Sequence, residues 1–191
     1  MNTHTNQTPS TIAAGGESIL PEPVHAAAVD VVAAAQRAGI RIATAETVTG
    51  GLLATALTEV PGVSAVYERG FVLYHTDAKS TGLGVPAALT ARYGAVSAEV
   101  TAALADGLRR HITTSDTAAA VAGAAITGYA GPTGGNNHDP VGTVYVATFF
   151  RSGPITTRRE VFPGTRLEVK VAAVHTALSV LHKHITGRAL Q

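Results

Sequence analysis

Three side chains in this sequence suit attack on a carbonyl group: the hydroxyl of Thr47, the phenol of Tyr74 and the amine of Lys79. A hydroxyl is a weak nucleophile until a base takes its proton, and lysine is such a base once burial, a cationic neighbour or a helix N-terminus lowers its pKa. Moving a lysine from about 10.4 to about 7–8 costs roughly 4 kcal/mol, which a structural lysine has no reason to bear. Hydroxyl–lysine pairs are an established variant of the nucleophile–base arrangement. By spacing alone the pair says little, since a threonine and a distant lysine occur in most chains and an ordinary surface lysine is the competing reading.

The elements around these residues carry more. Thr44-Ala45-Glu46-Thr47-Val48-Thr49-Gly50-Gly51 closes one apolar run (Ile40, Ile42, Ala43) and opens another (Leu52, Leu53, Ala56, Leu57), which reads as strand, tight turn and helix. With Thr49 as N-cap, Gly50 and Gly51 fall in the first helical turn, where glycine costs roughly 1 kcal/mol per residue against alanine. A ligand site that needs bare backbone amides and the positive end of the helix would justify that cost. Glu46 either positions a ligand hydroxyl or caps the turn. Lys79 falls in the first turn of a short helix that Thr76 is expected to cap, a position the dipole disfavours for a cation.

A second glycine-rich stretch, Gly128 to Pro140, forms a long loop after an unbroken apolar strand, Thr117 to Ile126. A loop of this length in a small domain is more often functional than idle. Its Gly128, Ala130, Gly131, Gly134 and Gly135 are candidates to wrap a ligand with their amides. The lysine and the strand–helix spacing of a P-loop are missing, which argues against nucleoside triphosphate hydrolysis. Arg69 either meets a ligand phosphate or forms a surface ion pair. Arg166, another cation in a first helical turn, suits a ligand or a partner. The eight histidines form no convincing metal site, and only His138, in the glycine loop, stands near the other candidates.

The remaining pattern supplies the frame. Helices are expected from Pro23 to Ala38 with Gly39 as stop, from the focal turn to Glu59, over Ala87–Tyr93, after the cap Ser97, and after a capping box of Thr165 and Glu168. The last helix has the apolar stripe Leu167, Val171, Val174, Leu178, Leu181 and Ile185. Strands are expected at Arg41–Ala45, at Val66–Tyr74 with an interruption at Glu68-Arg69-Gly70, at Thr117–Ile126, and as a hairpin of Val141–Phe150 with Ile155–Phe162. The fold class is α/β: one layered domain over residues 21–191, a mixed sheet of about five strands packed with helices and a single core. Residues 1–20 are polar and expected to be a disordered tail.

The 191 residues are 46% apolar and 14% charged, with a net charge of +1 and no cysteine. This balance suits a compact globular chain and gives bulk electrostatics no reason to favour nucleic acid or a membrane surface. It excludes disulfides, thiolate metal sites and a cysteine nucleophile. With no apolar run long enough to span a membrane and no secretory signal, a cytoplasmic location is expected. The apolar C-terminal helix and alanine-rich surfaces allow a homodimer or higher homo-oligomer.

Seven motifs in one order, from about Pro23 to about Leu181, carry a resemblance. They are the focal turn, Glu68-Arg69-Gly70-Phe71-Val72-Leu73-Tyr74, Asp77-Ala78-Lys79, Gly94-Ala95-Val96-Ser97, Gly128-Tyr129-Ala130-Gly131-Pro132, Pro140-Val141-Gly142-Thr143-Val144 and Phe162-Pro163-Gly164-Thr165-Arg166. The chain resembles the C-terminal domain family of the competence/damage-inducible protein CinA, whose stand-alone members are nicotinamide-nucleotide (NMN) amidases. The resemblance implies hydrolysis of the NMN carboxamide to nicotinate mononucleotide and ammonia, without cofactor or metal. Thr47 stands at the family's nucleophilic serine, Tyr74 at its tyrosine and Lys79 at its lysine. Val48 replaces the usual cysteine, and His75-Thr76 the usual Ser-Asn. Threonine keeps the hydroxyl but adds a methyl and stiffens χ1. Two outcomes follow: an amidase working through threonine, or a descendant that keeps the pocket as a nucleotide-binding or interaction module.

Overall fold

A computed structural model describes residues 18–112 and 121–187. The chain opens with α1 (Glu22–Ala38), a helix with valine and alanine at helical spacing that stops at Gly39 in the left-handed conformation, φ +62°. Then follow β1 (Arg41–Glu46), α2 (Leu52–Thr58), a single 3-10 turn (Val63–Ala65), β2 (Tyr67–Val72), α3 (Thr76–Leu83), α4 (Ala87–Tyr93) and α5 (Ala98–Ile112). The second half holds β3 (Val121–Gly128), β4 (Thr143–Phe150), β5 (Thr156–Val161) and α6 (Arg166–Thr186).

The five strands form one mixed sheet in the order β2-β1-β3-β4-β5. β2 and β3 run parallel to β1, while β4 and β5 are antiparallel additions. This is the layered α/β architecture expected. β1 and β3 are buried on both faces, as their small apolar residues require. The sheet divides the interior into two apolar clusters rather than one. On one side Val31, Leu53 and Leu178 from α1, α2 and α6 meet Ile42, Ala124 and Val146. On the other, Leu83, Leu104 and Leu108 from α3 and α5 meet Ala43, Ala125 and Phe149.

Several local expectations change. β2 runs on through Arg69 and Gly70, which pair with Ala43 and Thr44, but the expected irregularity is there: Ile42 pairs with Tyr67 and Ala43 with Arg69, so Glu68 is an extra residue in the ladder. Gly70 is small because a Cβ there would come within 2.8 Å of Thr44 Oγ1. The N-cap of α3 is His75, whose Nδ1 accepts from Asp77 N at 3.4 Å, not Thr76. Ser97 does cap α5, its Oγ accepting from Val100 N at 3.2 Å, and the Thr165–Glu168 capping box is formed.

On α6 the expected stripe holds except at its first residue, with Val171 partly buried against the core. Val174, Leu178, Leu181 and Ile185 are buried, but Leu167 is 65% exposed. α6 is pressed between the sheet and α1, so its buried arc centres on Val169, Ala173 and Ala177 and leaves Leu167 outside. Of the expected tail, residues 1–17 lie outside the described residues. Ser18 donates to Glu59 Oε2 and Leu20 is buried against the core, so the domain reaches further back than residue 21. The first residues of the expected Thr117–Ile126 strand also lie outside the described residues. No helix among the described residues is long and apolar enough to cross a membrane.

α5 approaches α3 at Gly107, where a Cβ would lie 3.0 Å from Leu83 Cβ and closer still to its carbonyl oxygen. In an open helix Gly→Ala stabilises by about 1 kcal/mol. Here the sign reverses: Gly107→Ala is expected to lower stability by about 1–3 kcal/mol through overpacking, read by denaturant unfolding.

Candidate active site

β1 and β3 end side by side, and the chain leaves them in different directions. β1 turns through residues 47–51 into α2 on one face of the sheet, while β2 turns into α3 on the other. A crevice at the C-terminal ends of the strands is where open α/β sheets bind ligands. Here it is a cleft of about 200 Å³ lined by Thr47, Val48, Tyr74, Thr76 and Lys79, by Ala95 and Val96 before α5, by residues 128–131 and Thr133, and by Arg166. The structure thus brings Thr47, Tyr74 and Lys79 into one cleft with Gly128, Ala130 and Gly131.

Thr47 is held twice to β3. Its N–H and its Oγ1 both donate to the carbonyl of Ile126, at 3.1 and 3.0 Å. Lys79 is 4% exposed, and burial pushes its pKa below the ordinary lysine value. Among the described residues its amine makes no hydrogen bond or ion pair, so nothing offsets the loss of water around the charged form. Tyr74 is largely exposed at the rim, where its hydroxyl accepts from Arg166 Nη2 at 2.8 Å. Arg166 Nη1 also donates to Gly131 O at 2.8 Å, so this arginine ties the start of α6 to both Tyr74 and Gly131. Its unfavourable place in a first helical turn is the signal that marked it in the sequence.

The focal turn differs from expectation. Gly50 and Gly51 precede α2 rather than opening it, with φ of +66° and +99°, a conformation in which a side chain is strained. Thr49 is not the N-cap. The Glu46 carboxylate, 1% exposed, accepts from Gly51 N and Leu53 N at 3.0 Å and from Ala54 N at 2.8 Å. Glu46 therefore takes the capping role of the two expected for it, and of the two glycine amides it occupies that of Gly51 alone. No acceptor among the described residues takes the N–H of Val48, Thr49 or Gly50. Thr49 Oγ1 is buried without a partner.

Three other candidates fall away from the cleft. Arg69 lies on β2 and pairs with Glu68 at 3.0 Å, so it meets no ligand phosphate here. Gly134 sits against the Tyr129 ring, and Gly135, φ +78°, against the backbone of Asp139 to Val141. The far half of the glycine loop folds on itself: the Asn136 side chain accepts from His138 N and Asp139 N, at 2.9 and 2.8 Å. Asp139 is buried, which raises its pKa, but hydrogen bonds from Arg159, Tyr145 and His138 outweigh burial and hold it below the usual carboxylate value. Lys170, absent from the sequence reading, reaches within 3.8 Å of the Cβ position on Gly50. No group of three metal-binding side chains clusters among the described residues.

The sheet order and this cleft define an α/β protein in which a hydroxyl and a buried lysine line one crevice. The chain belongs to the CinA C-terminal domain family, whose sequence model matches residues 24–185. It is 42% identical over 150 residues to a CinA-like protein of Myxococcus xanthus (strain DK1622), covering 78% of this chain and 34% of that protein. For a CinA-like protein of Anaeromyxobacter dehalogenans (strain 2CP-C) the values are 46% over 151 residues, 79% and 35%. The chain thus spans about a third of the length of the curated relatives it matches. The crystal structure of the competence/damage inducible protein CihA from Agrobacterium tumefaciens superposes with a TM-score of 0.81 at 37% identity, covering 86% of this chain and 97% of that one. A CinA superfamily protein from Klebsiella pneumoniae gives 0.78 at 35%, covering 86% and 98%.

Two expectations follow. Glu46→Ala strands three amides and should destabilise the fold by about 2 kcal/mol in thermal or denaturant melts. Lys79→Met should be at least as stable as wild type at pH 7. The folded pKa of Lys79 lies below its unfolded value, so its destabilising effect is full below the folded pKa and fades as pH rises towards the unfolded pKa. The stability difference between the two proteins should therefore shrink between pH 7 and about 10.

Proposed function

We propose that this chain is an amidohydrolase that cleaves the carboxamide of NMN, or of a close pyridine nucleotide, to the acid and ammonia. The observation that carries the reading is the presence, in one cleft, of the Thr47 hydroxyl and a buried lysine whose charged form burial disfavours. Neutral Lys79 accepts the Thr47 proton, and Oγ1 bonds to the carboxamide carbon as the carbonyl pair moves onto oxygen. The oxyanion is met by backbone amides, for which Val48, Thr49 and Gly50 are available; one such donor is typically worth about 3–4 kcal/mol. The C–N bond then breaks and ammonia leaves with the proton from Lys79. Water attacks the resulting ester, giving one proton to Lys79, which returns it to the Thr47 oxygen as the acid departs. Tyr74, at the rim, orients or relays that proton.

A volume of about 200 Å³ is below the roughly 300–1,000 Å³ usual for a complete ligand pocket. It suits the carboxamide-bearing ring, with the ribose phosphate extending past the rim. Two ways out exist. A wider hollow of about 450 Å³ shares Thr76 and Ala95 with the cleft but carries the carboxylate of Asp77. The other rim carries Arg166, and Lys170 beside Gly50. Charge assigns the phosphate to the side of Arg166 and Lys170.

One observation favours the second reading, a binding module without turnover. Thr47 Oγ1 gives its proton to Ile126 O, a bond that must be released before the proton can pass to Lys79; the extra methyl stiffens χ1 against any adjustment of Oγ1, and a misplacement of about 1 Å can cost roughly 100-fold. Ammonia release from NMN by wild type, Thr47→Ser and Thr47→Ala separates the readings. Turnover by wild type that Thr47→Ala abolishes supports the amidase. Turnover by Thr47→Ser alone makes the chain a silenced amidase. No turnover by any of the three, with NMN still raising the melting temperature, leaves the binding module.

A further inference from the structure

The helix that the sequence offered for self-association is consumed inside the domain, with Val174, Leu178 and Leu181 fully buried. A different surface is open. β5 is an edge strand, and along it Arg158, Arg159 and Val161 are exposed. The direction of its free backbone groups follows from the ladder. Phe162 N donates to Gly142 O at 2.9 Å, and the register from Thr143↔Val161 to Thr148↔Thr156 has no break. In an antiparallel pair hydrogen-bonded residues alternate. Glu160, Arg158 and Thr156 therefore face β4, and the N–H and C=O groups of Thr157, Arg159 and Val161 point outward, without a partner among the described residues. Such a row is a template for another strand.

We propose that β5 pairs antiparallel with β5 of a second copy, about a two-fold axis through Arg159, joining the two sheets into one. Outward groups alone permit three symmetric registers. Centring on Arg158 sets that arginine opposite itself, and centring on Glu160 does the same to the carboxylates. Like charges directly opposite are destabilising. Centring on Arg159 sets each Arg158 opposite the second copy's Glu160 and each Thr157 opposite its Val161, a pair of β-branched side chains suited to a sheet. The Arg158–Glu160 ion pair formed within one strand then exchanges partners at no loss of charge balance. The two Arg159 side chains meet on the opposite face, but each is already held, Nε to Asp139 Oδ1 at 2.9 Å and Nη2 to His138 O at 2.8 Å. On the Arg158 face a hollow of about 200 Å³ runs from β5 to His175, Ser179 and Lys183 of α6, leaving room for the second copy to seat. Charges on an edge strand commonly prevent association. Here the only like charges set opposite are the two Arg159 side chains, each compensated by its own Asp139, while Arg158 and Glu160 attract across an isologous interface.

The test is sedimentation of the full chain at micromolar concentration, with circular dichroism to establish that each variant is folded. Wild type should be a dimer, Arg158→Glu and Glu160→Arg each monomeric, and the double exchange R158E/E160R dimeric again. Thr157→Pro removes an outward N–H that the monomer does not use and should also give a folded monomer. A monomeric wild type overturns the proposal. So does a dimer that survives both single charge reversals and Thr157→Pro, or a folded double exchange that stays monomeric.

Discussion

The cleft rests on the point where β1 ends against β3. The two strands are parallel and in register from Arg41↔Val121 to Glu46↔Ile126, and the next residue, Thr47, is bonded to that same Ile126 carbonyl through both backbone and side chain. From there the chain must reverse into α2 within a few residues. Two glycines with positive φ make the reversal possible, and the Glu46 carboxylate secures it by taking three amides of the new helix. One buried carboxylate thus does for this turn what a threonine cap could not, since it reaches across the bend from the strand side. The Thr47 hydroxyl is fixed in space because the residue before it holds the helix after it.

In the cleft that this rigid turn lines, the protein tolerates an unfavourable electrostatic arrangement. Lys79 is buried near the start of a helix, without a partner among the described residues and with its charged form disfavoured. Stability would be better served by an apolar side chain of the same length. A chain that keeps such a lysine in the same cleft as a hydroxyl gives up stability at a place where perturbed groups commonly serve function. Arg166 shows the complementary arrangement: a cation at the wrong end of a helix, engaged by Gly131 O and Tyr74.

Where the sequence was legible, the reason was periodicity or local chemistry. Val24, Ala28, Val31 and Val32 mark α1 because a 3.6-residue repeat survives any tertiary context. The α6 capping box is legible because both partners lie within one turn. Lys79 and Arg166 stood out as cations where the helix dipole disfavours them. What was misread depended on the path of the backbone. Gly134 and Gly135 announce a crowded backbone but not what crowds it, which proves to be Tyr129 and the Asp139–Val141 segment rather than a ligand. Arg69 left a phosphate contact and a surface ion pair both open, because the face a strand residue presents depends on its register with β1, which no local pattern reveals; the structure shows the ion pair with Glu68. The unpaired edge at β5 follows from strand order and is equally invisible in a linear chain.

The Thr47 Oγ1–Ile126 bond joins residues 79 apart in the chain, and this has a consequence for how the molecule is made. Neither wall of the cleft has a local precursor. During synthesis β1, α2 and β2 emerge well before β3, and until β3 arrives β1 lacks its second neighbour and Thr47 its anchor. Parallel pairings across such separations require closure of long loops before any contact rewards them, and they slow folding accordingly. The Thr47 hydroxyl is therefore positioned late, after most of the chain has left the ribosome. Until then the apolar strand Ile40 to Ala45 depends on α1 and β2 to keep it from other chains.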